Sequence, residues 1–328
     1  MNEVLKKQCQ LFIQNRDHLK NHFIWENSAI YPLCASLYIE KELEVDIHKI
    51  KAAKELIKEE TDLFSNFRGN LLMLFATRLA IVDEPKERFE RVKKLYELFK
   101  IRFLGSPYLA LAAFALVEQV AEEDDKKAVE QTIRVYEKMR KEHPFLTSKE
   151  DLSFASLFAI SQMSEDEAIV RMEKCYRLLN DQFFSSNAVQ SLTHALAFGE
   201  ETEEIKCRRV MTLFNRLKEN GCKYGTGIEL ATLGLLALLI KDSEVEETIK
   251  EILEVNRYLL DSSGFGAFGI GKVQRLMYAV LIVAMHIKSE NYKMGVTFEN
   301  SIASIMIAQQ MAISSVAGSG AATCAAFN

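Results

Sequence analysis

The stretch SSGFGAFGIGKVQRLMYA, residues 262–279, is the densest grouping of residues suited to chemistry in the chain. Gly264, Gly266, Gly269 and Gly271 fall within eight residues, and Lys272 and Arg275 follow at what reads as the start of a helix. Gly264-Phe265-Gly266-x-x-Gly269 fits the GxGxxG pattern, and Gly266-x-x-x-x-Gly271-Lys272 fits the first part of a P-loop. Such loops free backbone N–H groups to hold phosphate at a helix N-terminus. Val273 stands where a Ser or Thr would bind magnesium, and no strand precedes the loop, so a nucleotide loop is disfavoured. Two readings remain. One is a small-anion loop with Gly266, Gly269, Gly271, Lys272 and Arg275 as ligand contacts. The other is a connector whose glycines allow tight turns and close packing of Phe265 and Phe268. Two cations at a helix N-terminus oppose its dipole. They call for an anion, or for an acidic neighbour such as Asp261 or Glu229.

A second group sits on apolar segments. His194 lies in SSNAVQSLTHALAFG with Gln190 four residues earlier on the same helical face. A histidine there is either a satisfied core residue or a base or ligand contact. Glu229, Asn70 and Arg78 are similar candidates: Glu229 could instead cap a helix, and Arg78 could pair across helices. His18 and His22 are four apart, a metal-pair spacing, but no HExxH accompanies them and a solvated polar face explains them. No GxSxG, no HExxH and no paired Asp motif occurs, and the sequence indicates no cofactor and no metal.

The elements that must position these residues are helices. The chain has 328 residues, 48% hydrophobic and 27% charged, with only 4 prolines and 14 glycines. That excludes a disordered chain and a disulfide miniprotein, and scarce turn residues point to an all-α class. Six cysteines show no paired spacing, so reduced thiols in the cytoplasm are expected. A net charge of −5 and alternating signs along 86–102 argue against a nucleic-acid partner. The N-terminus has no apolar signal segment, and the runs 230–240 and 276–287 are short of the ~20 residues of a span, so no membrane partner is expected.

One pattern recurs along the chain. Ser28, Ser65, Ser106, Ser148, Ser186 and Thr226 each open a short apolar segment, at gaps of 37, 41, 42, 38 and 40 residues. A seventh unit starts near Gly271. A period of roughly 40 suits helix–turn–helix repeats. The openers read as N-caps, with Pro107 at a first helical position and box-like pairs Ser148/Asp151, Thr226/Glu229, Ser164/Glu167 and Ser243/Glu246.

The segments 108–117, 152–160 and 228–240 are apolar all round and should be inner helices. The segments 125–142 and 244–260 carry one apolar stripe and should be outer ones, with Val129, Ile133 and Tyr136 in the first, and Ile249, Ile252, Leu253 and Leu260 in the second. The expectation is one domain over 1–328: a capping helix at 2–23, about seven hairpins over 28–290, a C-terminal helix at 297–317 and a mobile tail at 318–328. These hairpins would form a compact superhelix or near-closed α/α toroid. The small, Met-rich face of 297–317 suits packing on the array or against a second copy in a homodimer.

At GFGAFGIGKVQRLMYA, and in the layout of short hairpins, the chain resembles an uncharacterised bacterial family known only as a domain of unknown function, number four thousand and three in that series. The resemblance implies a soluble bacterial protein and brings no activity or site residues. The sequence thus favours a non-enzymatic binding or scaffold protein with a protein partner. The alternative is an enzyme or small-anion binder with a pocket between the inner helices and the Gly264–Gly271 loop.

Overall fold

The computed structural model describes residues 1–290 apart from 27, 40, 162, 228, 267 and 268, and the side chains of 70 and 288–290 also lie outside the description. The expected helix 297–317, the tail 318–328, Phe268 and the Asn70 side chain are therefore outside the described residues. Within them the fold is all-α, with fourteen α-helices, four short 3-10 turns and no strand.

The helices alternate between two kinds. Seven are amphipathic: α1 (Glu3–His22), α3 (Ile47–Glu59), α5 (Pro85–Lys100), α7 (Asp125–Glu142), α9 (Glu165–Leu179), α11 (Glu203–Glu219) and α13 (Val245–Leu260). Seven are apolar: α2 (Ile30–Ile39), α4 (Leu72–Leu79), α6 (Pro107–Val117), α8 (Leu152–Ile160), α10 (Ser186–Ala197), α12 (Leu230–Leu239) and α14 (Lys272–Glu290). Beyond the exposed first turns of α10 and α14 the apolar set is largely buried; every residue of α12 is buried, and so is every residue of α6 from Leu109 on. The amphipathic set buries one stripe, such as Ala128, Val129, Thr132, Val135, Tyr136 and Met139 on α7. On α13 the stripe runs through Val255 and Leu259, and Leu260 is turned outward. The inner and outer layers read from hydrophobic pattern are thus present.

The phase of the hairpins differs from the sequence reading. Each amphipathic helix packs most closely on the apolar helix that follows it, so a unit runs outer then inner: α1–α2, α3–α4, and so on to α13–α14. The expected lone cap at 2–23 is the outer helix of the first hairpin. Pattern alone marks which face is buried, not which of two neighbours buries it.

Several expected caps are absent. The helices after Ser28, Ser65 and Thr226 start later, at Ile30, Leu72 and Leu230. Ser65 accepts instead from Phe67 N–H in its own turn. Ser185, not Ser186, caps α10. Ser106 precedes Pro107 as expected, but its hydroxyl makes no cap bond and is buried without a partner among the described residues. Ser243 lies inside a 3-10 turn, where Lys241 N–H donates to Glu244. Ser148 and Ser164 do cap, with Glu150 and Glu167 N–H groups as donors.

The inner helices run in one direction. Phe154 meets His194 and Phe158 stacks on Phe198 four residues further along both helices, and Phe75 stacks on Phe114 ahead of the Arg78–Glu118 pair. Every outer-to-inner loop therefore lies at one end of the array and every inner-to-outer loop at the other. The outer helices touch in chain order from α1 to α13, and α13 touches α1. Helix α1 also packs on α14, through Phe12 against Tyr278 at 5.4 Å and Asn2 against His286 at 3.0 Å.

Candidate functional site

Gly266, Gly269, Gly271, Lys272, Arg275 and Glu229 lie at the outer-to-inner loop end, in the loop before an inner helix or in that helix's first turn, whereas His194 is in the last turn of α10, level with the start of α8. They do not form one group. His194 and Gln190 belong to the junction of the fourth and fifth hairpins, and Lys272, Arg275, Glu229 and the glycines to that of the sixth and seventh.

At the first junction Asp151, in the 3-10 turn that starts α8, faces His194. Its Oδ1 is 3.6 Å from His194 Nδ1, too far for a hydrogen bond, and its Oδ2 accepts from Ser148 N–H at 2.8 Å. Both side chains are buried. Burial pushes the Asp151 carboxyl up to about 7, opposed by the Ser148 N–H and helped by Glu150. Burial, with His143 nearby, pushes the His194 imidazole down to about 3. A neutral acid beside a neutral imidazole is the pair this environment favours over an ion pair. Phe154 packs on the imidazole at 4.9 Å. Gln190 Nε2 donates to the Thr147 hydroxyl at 2.9 Å, which donates to Met139 O at 3.2 Å. His143 stands 2.7 Å from Glu173. Gln190 is thus held by a loop residue, while the Nδ1 of His194 has no hydrogen-bond partner among the described residues.

At the second junction the loop is tied to its own hairpin. Ile270 N–H donates to Gly264 O at 2.9 Å, and Gly269 N–H to Gly266 O at 3.1 Å. Gly264 has φ +83°, a conformation that suits glycine, and the Arg16 guanidinium lies against its Cα. Arg16 is buried and stacks over Phe265 at 4.4 Å. Arg275 is also buried; it donates to Phe265 O at 2.7 Å and to Asn256 Oδ1 at 3.0 Å. Its partners are neutral, neither an anion nor Asp261. Lys272 is exposed. Glu229 accepts from Gly227 N–H at 3.2 Å, within its own turn. Gly266 and Gly271 have open space where a Cβ would stand.

Elsewhere, Arg78 forms a two-point pair with Glu118, with Nε to Oε1 at 2.9 Å. The His18 and His22 rings lie edge to face at 4.6 Å, and no metal-holding group of His, Cys, Asp and Glu occurs among the described residues. An open cleft of ≈ 1220 Å³ lies between the end of α3 and α5, walled by Phe64, Asn66, Lys93 and Tyr96.

Sequence reasoning passed over two features of this end. Asp151 was legible only as a cap partner, because nothing in one dimension shows that it faces His194. The second is a set of apolar tips. Trp25 (94% exposed), Phe64 (95%), Ile101, Leu104, Phe145 (99%) and Phe184 are the most exposed large apolar side chains described, and all lie in outer-to-inner loops. Their recurrence at the ~40-residue period of the helices was the signal that could have found them.

The profile of a family described as Protein of unknown function (DUF4003) matches residues 15–312. The chain is also similar to a curated Bacillus subtilis (strain 168) protein, "Uncharacterized protein YeaA", at 25% identity over 320 residues, which cover 94% of this chain and 93% of that one. No solved structure matches.

Proposed function

We propose that this chain, which belongs to the DUF4003 family of proteins of unknown function, is a cytoplasmic, non-enzymatic binding protein. Its seven hairpins close into an α/α toroid that serves as a rigid frame, and the outer-to-inner loop end is its contact surface. The contacts of α1 with α13 and α14 support closure over an open superhelix. The observation that carries the binding reading is the gathering of the most exposed apolar side chains at one end. Scattered apolar residues are ordinary on a protein surface, but a grouped set marks an interaction site. The small-anion alternative has weaker support, because Arg275 is engaged by Phe265 and Asn256 and His194 belongs to another junction. In all described helices, none is long and apolar enough to cross a membrane.

The test is photocrosslinking in living cells from a benzophenone amino acid placed at 64 or 145, with 43, in an inner-to-outer loop, and 170, on an outer helix face, as controls. The expected result is one discrete adduct shared by 64 and 145 and absent from 43 and 170. Equal labelling at all four positions would sink the binding reading.

A further inference from the structure

We infer that the outer-to-inner loop end docks on the surface of an anionic lipid bilayer. This rests on the binding reading above and names the partner. The first observation is the chemistry of the tips: Trp25, Phe64, Ile101, Leu104, Phe145 and Phe184 project from separate loops at one end. Aromatic and aliphatic tips of this kind enter the boundary between headgroups and acyl chains, each adding buried apolar area.

The second observation is charge. All seven outer helices carry a basic residue in the last turn, which is the turn that meets these loops. Their first turns, at the opposite end, are acidic in six of the seven, as at Glu3, Glu87, Asp125, Glu165, Glu203 and Glu246. On one helix this distribution only complements the macrodipole. Parallel outer helices add it up, so a chain with net charge −5 carries a modest excess of cations around the apolar tips. Lys20, Arg140, Lys141, Arg177, Lys218 and Arg257 are exposed and form no ion pair among the described residues. The exposed Glu59, Asp62, Glu142, Glu150, Asp181 and Asp261 also lie at this end, as do the exposed Lys223 and Lys272. Glu97, Glu137 and Glu219 at this end are each paired with a cation. An apolar centre with a modestly basic periphery complements anionic headgroups over acyl chains. A single-stranded nucleic acid would instead need cations interleaved with the stacking rings. That no described helix can span a bilayer leaves association with its surface untouched.

Trp25 is the only tryptophan of the chain, so its fluorescence reports on one tip. The full chain is mixed with vesicles of phosphatidylglycerol and phosphatidylcholine, or of phosphatidylcholine alone. Co-sedimentation, Trp25 emission and quenching by bromine-labelled acyl chains are recorded. The expected result is co-sedimentation with the anionic vesicles only, a blue shift and bromine quenching. Added salt should weaken binding. Phe64→Ser combined with Phe145→Ser and Phe184→Ser should lower vesicle affinity at least about tenfold. Lys141→Glu with Lys218→Glu should remove the preference for phosphatidylglycerol. Melting curves matching wild type would show both variants folded. No co-sedimentation with anionic vesicles would overturn the lipid inference, as would equal binding to phosphatidylcholine alone or tighter binding to an oligothymidylate. If vesicles fail while the 64 and 145 crosslinks converge on one protein, the lipid inference falls and the binding reading stands.

Discussion

The two ends of the array are built from the same helices and differ in what their loops do. At the inner-to-outer end, cations from the outer helices take the carbonyls that terminate the inner ones. Arg88 donates to Val117 O at 2.6 Å, Arg171 to Gly199 O at 2.8 Å and Arg209 to Ala237 O at 2.9 Å. Arg91 holds Val120 O and Asp125, and the fully buried Lys206 holds Gly199 O at 2.9 Å. Positive charge at helix C-termini is favourable, and these bonds satisfy groups that would otherwise be orphaned. At the outer-to-inner end side chains also take loop carbonyls, as Lys149 takes Leu104 O at 3.1 Å and Arg275 takes Phe265 O at 2.7 Å, but the apolar tips of these loops stand in solvent. Both ends are bonded to the frame, and the outer-to-inner one also carries the most exposed apolar side chains described.

The largest expected effects belong to the frame. Leu235, fully buried in α12, should cost about 2–5 kcal/mol as Leu235→Ala in chemical denaturation. A loss well under ~1 kcal/mol, below that range, would mean α12 is not core. Arg209→Ala removes donors to Ala237 O, Glu201 and Asp242 and should cost about 1.5–3 kcal/mol, toward the low end because both carboxylates are half exposed. A neutral result would mean that these bonds do not stabilise the frame.

The Asp151–His194 pair sharpens the comparison through pH. The Asp151 carboxyl is raised to about 7 from an ordinary 3.8, so the folded state binds the extra proton between those values. Its contribution to stability therefore falls as pH rises through that window. His194 is lowered to about 3 from 6.5, so the unfolded state binds the extra proton, and its contribution rises with pH between those values. The two slopes oppose, and the pair should be nearly flat from about pH 4 to 6.5. His194→Gln should expose a stability that falls with pH, and Asp151→Asn one that rises, each by up to about 1.4 kcal/mol per pH unit. Thermal melts across pH check the signs; equal slopes in the two variants would show that the groups do not titrate as a neutral pair.

Smaller effects separate working caps from nominal ones. Ser148→Ala should cost about 0.5–2 kcal/mol, because its hydroxyl accepts from Glu150 N–H. Ser106→Ala should be neutral or slightly stabilising, since it deletes a buried hydroxyl with no partner among the described residues. The smallest change is expected at the tips. Phe145→Ser and Phe184→Ser should leave stability within about 0.5 kcal/mol, as fully exposed side chains contribute no burial. A larger loss would place the tips in the frame.

Hydrophobic pattern was enough to see helices of two kinds at a period of roughly 40 residues, because burial on all sides and burial on one stripe leave different spacings in sequence. Thus 108–117 and 125–142 were assigned to the right layers, and Pro107 to a first helical turn. Among the candidate residues, His194 was legible as a polar residue on an apolar helix, and the glycine loop as the break in the repeat. What those residues face was not legible. Asp151 meets His194 from 43 positions away, and Arg16 reaches Gly264 from the other end of the chain. Capping signals also misled at Ser65 and Thr226, where the chain completes further turns before its apolar face reaches the array. Local propensities and periodicities are properties of neighbours in sequence, and they determined the helices and their buried faces. The pairing of hairpins, the meeting of α1 with α13, and the gathering of tips and cations at one end come from packing between elements far apart in the chain. Burial of apolar area is non-directional, so only the three-dimensional fit of those elements could decide them.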